Sequence, residues 1–86
     1  MIAIKNVKLP ELRALIEQLQ QSGQAQITGT SMTSGTITAR HFLMPTINAS
    51  YSLADDGTLT VESNVFETQI GDELNKRLTA LRAQGV

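Results

Sequence analysis

A chain of 86 residues with no cysteine, 41% hydrophobic residues and a formal net charge of −1 leaves few ways to build a stable fold. One domain of this size buries only about 60–65% of the surface its unfolded form exposes, and neither disulfides nor thiolate-bound metal can supplement that core. Seven Lys and Arg residues and three aromatics (Phe42, Tyr51, Phe66) supply neither the basic footprint of a duplex binder nor the stacking platforms of a single-strand binder, so no nucleic-acid partner is expected.

Residues 1–5 lack a basic n-region and a long apolar h-region, and no stretch approaches the ~20 apolar residues that cross a bilayer. The expectation is a soluble, cytoplasmic protein with no membrane span. Ile2 and Ile4 alternate with Ala3 and Lys5, a pattern open to two readings, a short strand or an ordered extension. Pro10 suits the first turn of a helix, where its missing N–H costs nothing. Leu12, Leu15, Ile16 and Leu19 then recur at three–four spacing, with Leu9 just before them. Ser22-Gly23 ends this helix, because Gly takes the left-handed cap conformation cheaply.

From Gln24 to Ser63 the period changes to two. Ala25, Ile27, Ile37, Ala39, Ile47, Ala49, Tyr51, Leu53, Leu59 and Val61 alternate with Thr, Ser and Asn. Side chains alternate across a strand, so this writes a sheet with one apolar face and one neutral polar face. Strands are predicted at 24–30, 36–42, 46–53 and 58–63. Asp55-Asp56-Gly57 is a tight hairpin turn, since Asp-Gly readily supplies positive φ. Residues 42–45 are ambiguous. Phe42-Leu43-Met44-Pro45 is either a hairpin loop, giving four strands, or a kink within one long strand, giving three.

The last predicted helix opens with Asn64 and Glu67 at capping-box spacing. Phe66, Ile70, Leu74, Leu78 and Leu81 form its apolar stripe, with Gly71 interrupting it. Acidic residues early and basic residues late suit the helix dipole, and Asp72 with Lys76 and Glu73 with Arg77 pair at i, i+4. These elements predict a single α+β domain over residues 1–86. Its architecture is a two-layer sandwich, an antiparallel sheet of three to four strands with two helices on one face, in the order α-β-β-β-β-α.

No catalytic chemistry is written at recognisable spacing. His41 is the only histidine, and no carboxylate near it in sequence would orient it. Asp55, Asp56 and Glu62 lack the ligand alternation of a calcium loop, and Ser31, Ser34 and Gly35 lack the strand–turn–helix setting of a phosphate loop. No enzyme activity, metal or cofactor is therefore expected. Two features point to contacts instead. The Thr-x-Thr pairs at Thr28/Thr30, Thr36/Thr38 and Thr58/Thr60 line a face whose only expected charges are Arg40 and Glu62. That face is either ordinary solvated sheet or a surface that stacks on a second copy, with Thr38 and Ser50 at its centre. The apolar run Phe42, Leu43 and Met44 either folds over the open end of the core or protrudes toward a partner.

The expected function is a small non-enzymatic interaction module, a homodimer formed through its sheet by face or by edge. The alternative is a carrier for a small apolar ligand between helices and sheet, because Ala25, Gly29, Ala39 and Ala49 are small for an inward face.

Overall fold

A computed structural model describes residues 1–23, 25–29, 31–40 and 46–85. Its elements run β1 (Ile2–Ile4), α1 (Leu9–Ser22), β2 (Gln26–Thr28), β3 (Ser34–Ala39), β4 (Ile47–Leu53), β5 (Leu59–Ser63) and α2 (Glu67–Ala83). The strands form one five-stranded antiparallel sheet in the order β1-β5-β4-β3-β2. This corrects the expected three to four strands and the expected α-first order, which becomes β-α-β-β-β-β-α. The extra strand is the Ile2/Ile4 segment. It pairs with the distant β5 through Ile2↔Val61 and Ile4↔Leu59, and Ile4 enters the core.

β3 and β4 pair antiparallel up to Ala39↔Ile47, so the chain reverses between them and they are two strands rather than one bent strand. Residues 41–45 themselves lie outside the described residues. The Asp-Gly turn forms as its chemistry demands. Gly57 takes φ 89°, and the Asp56 carboxylate accepts the Thr58 N–H at 2.9 Å.

α1 begins after an extended Lys8, whose N–H donates to Glu11 Oε1 at 2.8 Å, and ends at Gly23 with φ 72°. α2 starts later than the capping-box reading implies. Asn64 is not its cap: the side chain is engaged by β4, accepting the Asn48 N–H at 2.9 Å and donating to Thr46 O at 3.0 Å. The cap position falls to Phe66 at φ 54°, with no side-chain bond to the helix. Glu67 still reaches back, but it accepts the Ser63 N–H at 3.2 Å.

Leu12, Leu15 and Leu19 of α1 and Leu74, Leu78 and Leu81 of α2 close on the apolar sheet residues Ile37, Ala49, Tyr51, Leu59 and Val61. Burying the larger of these side chains contributes roughly 1.5–3 kcal/mol apiece by removing apolar surface from water, which is the main force holding helices to sheet. Two glycines are explained by what lies over them. A Cβ on Gly35 would stand 2.6 Å from the Tyr51 hydroxyl, since the Tyr51 ring folds across its cross-strand partner. A Cβ on Gly71 would overlap the Ile2 side chain, so β1 and α2 pack as closely as they do because that position has none.

An ion pair ties the two helices at their far ends. Arg82 Nε donates to Glu11 Oε2 at 2.7 Å and Arg82 Nη2 to Asn6 O at 2.8 Å, with Glu11 only 4% exposed.

Candidate interaction face of the sheet

Both helices occupy one side of the sheet, which leaves the other side to the alternate residues of every strand. The register lays these out in rows. Gln26, Thr38 and Asn48 stand side by side on β2, β3 and β4. Thr28, Thr36, Ser50 and Glu62 form the next row, reaching β5, and Ser34, Ser52, Thr60 and Ala3 the one after. Asn48, Ser50, Ser52 and Glu62 are exposed, whereas Thr36, Thr38 and Thr60 are half-buried among their neighbours.

Thr38 and Ser50, singled out from the sequence, are thus brought together as diagonal neighbours on adjacent strands. Asn48 completes the cluster, its Oδ1 accepting a 3.4 Å hydrogen bond from Thr38 Oγ1. The alternation already placed Asn48 in the polar series. Its central position follows only from the register of β3 against β4. Thr60 Oγ1 donates to Ser52 O at 3.2 Å, so part of the hydroxyl array is satisfied within the sheet and part is left to solvent. Phe42, Leu43 and Met44, together with His41 and Pro45, lie outside the described residues.

Charge is sparse here. Arg40 lines a shallow depression with Gln26 and Thr38 at one end of β3, and Glu62 stands on β5. Lys5, just past β1, is at the opposite end, near Asp56. The Asp56 carboxyl is held below its ordinary value mainly by the Thr58 N–H, with Lys5 adding a smaller pull in the same direction.

Two concavities on the inner side bear on ligand binding. One is an open trough of ≈650 Å³ between α1 and the β2–β3 loop, bordered by Arg13, Ile16, Glu17, Met32 and Tyr51. Burial pushes the Tyr51 hydroxyl above its usual pKa. The other, of ≈260 Å³, is apolar and lined by Ala25, Ala39 and Ala49 with Leu19, Ile47 and Ile70, and the Glu73–Arg77 ion pair (3.0 Å) stands at its rim. Gly29, grouped with the three alanines from the sequence, does not line it.

Among the described residues no group of three or more His, Cys, Asp or Glu side chains could hold a metal ion, and no helix is long and apolar enough to cross a membrane. Compared with family models, curated proteins and solved structures, the chain gives no match.

Proposed function

We propose that this chain is a non-enzymatic self-association module whose partner is a second copy of itself, docked on the outer face of the sheet. The observation that supports this is the composition of that face. It presents hydroxyl and amide side chains on four adjacent strands, with charge confined to Arg40 at one end and Glu62 on β5. Interface cores are depleted of charge, because an unpaired charge loses more hydration than contact returns. Hydroxyls and amides can donate and accept across a symmetric contact, so covering them need not strand polar groups.

The edges favour this route over strand pairing. The two outer strands, β1 and β2, are three residues each, and short edge strands are a common way to deny a second chain a template. A chain with a small core and no staple also gains from association.

Thr38→Lys and Ser50→Lys test the face directly. Each buries an unpaired charge in the contact, and each is expected to weaken self-association by about tenfold or more. Ala3→Pro or Thr28→Pro in the terminal strands should leave association within about threefold of wild type, provided circular dichroism shows native folding. The reverse pattern would replace face stacking with edge pairing.

The alanine-lined groove favours a second reading, the apolar-ligand carrier. An apolar cavity of ~150 Å³ suffices for a benzene-sized guest, so one of ≈260 Å³ has room for a somewhat larger one. Native mass spectrometry of freshly purified protein decides this: a stoichiometric small apolar molecule supports the carrier, and bare chain counts against it.

A further inference from the structure

The two charges on the outer face are placed about a common centre. Glu62 pairs in register with Ser50 on β4. Ala39 pairs with Ile47, which puts Arg40 one step further on, level with Thr46. Thr46, just before β4, and Ser50 within it lie two residues either side of Asn48, and β3 and β5 flank β4 on its two sides. Arg40 and Glu62 are therefore disposed symmetrically about Asn48, one on each side and at opposite ends.

Within one chain they cannot meet. Two strand spacings across and four residues along separate them by roughly 16 Å. Among the described residues neither side chain has an ion-pair or hydrogen-bond partner, although both are exposed. Of the other charges near this face, Lys5 sits by Asp56 at the far end, and the Met1 ammonium is ion-paired with Glu67.

Resting on the self-association reading above, we infer that two copies stack face to face about a twofold axis that lies in the interface plane, passes over Asn48 and runs perpendicular to the Arg40–Glu62 diagonal. That operation exchanges the two ends of the diagonal. Arg40 of each copy meets Glu62 of the other, and Asn48 meets its own symmetry mate, where two amides can donate and accept reciprocally. The occupant is a second copy because the pattern complements itself: opposite charges related through one point, on a face whose rows between them carry hydroxyls and amides. The diagonal lies at roughly 36° to the strands, so this axis makes the strands of the two sheets cross at roughly 70°, nearer the orthogonal than the aligned class of sheet packing.

The test is charge reversal read by sedimentation equilibrium. Arg40→Glu and Glu62→Arg each set like charges together twice per dimer, and each should raise the dimer dissociation constant by about tenfold or more. The double variant restores two opposite-sign pairs and should return to within about threefold of wild type. Both positions are exposed, and far-UV circular dichroism checks that each variant keeps its fold. Single reversals without effect, or a double variant weakened by the sum of the two, would overturn this register while leaving a wild-type dimer intact. A monomeric wild type would overturn the self-association reading itself, and this inference with it.

Discussion

Glu11 shows how much one side chain can organise in so small a core. Its carboxylate takes the Lys8 N–H at the start of α1 and the Arg82 guanidinium near the end of α2, while Arg82 also holds the carbonyl of Asn6. Asn6 sits at φ 61°, in the left-handed region where Asn is among the few residues at ease. One buried acid thus fixes the corner between β1 and α1 and anchors the last turn of α2. The Arg82 hydrogen bond, followed by that from Lys8, holds the Glu11 carboxyl below its ordinary value of 4.5. A depressed folded-state pKa contributes stability that is present above the unfolded value and lost as pH falls through the folded one. Glu11→Gln should therefore cost about 1–2 kcal/mol at pH 7, a figure kept modest because Arg82 is partly exposed. The gap between variant and wild type should close as pH drops below about 4.5. Urea unfolding at a series of pH values checks this, and a gap unchanged down to pH 2 would contradict it.

The elements show where local signals suffice and where they do not. α1 was legible because its signals are local: Pro10 in the first turn, leucines at three–four spacing and a glycine at the left-handed cap. The Asp-Gly hairpin and the polar alternation were legible for the same reason. β1 was legible only as a choice between a strand and an extension, since three residues become a strand only by pairing with β5 at the other end of the chain. Asn64 was misread because the same amide that caps a helix can extend a sheet, and β4 offers it the Asn48 N–H and the Thr46 carbonyl. Asn64→Ala should accordingly destabilise the protein by about 1–2 kcal/mol. Its faster amide exchange should appear at Asn48, on β4, rather than in the first turn of α2. Gly71 likewise needed a partner to be explained. Gly71→Ala alone should be destabilising, because overlap with Ile2 outweighs the ~1 kcal/mol of helix propensity gained. In an Ile2→Ala background the same substitution should become stabilising by up to about 1 kcal/mol, and a thermodynamic double-mutant cycle measures the reversal. Additive effects would mean that β1 does not press on α2 at this point.

At the scale of the whole molecule the sheet has unequal sides. One face is closed by two leucine stripes, and the other presents neutral polar side chains from Gln26 across to Glu62. The sequence made this polarity readable, but not which residues share a row, because register is set by cross-strand pairing rather than by alternation alone. With the register in hand, Thr38, Asn48 and Ser50 fall together, and Arg40 and Glu62 take up opposite ends of one diagonal. The proposed twofold contact would bring these two ends together across the interface. The same contact predicts sensitivity to ionic strength, since the reciprocal Arg40–Glu62 pairs lie toward the rim and salt screens them. Sedimentation equilibrium of the wild-type protein, from low micromolar to high micromolar concentration, is the most direct measurement. The account predicts reversible association to twice the 9.3 kDa of one chain, weakening at high salt. A single 9.3 kDa species across the whole range would contradict it and leave the outer face as ordinary solvated sheet.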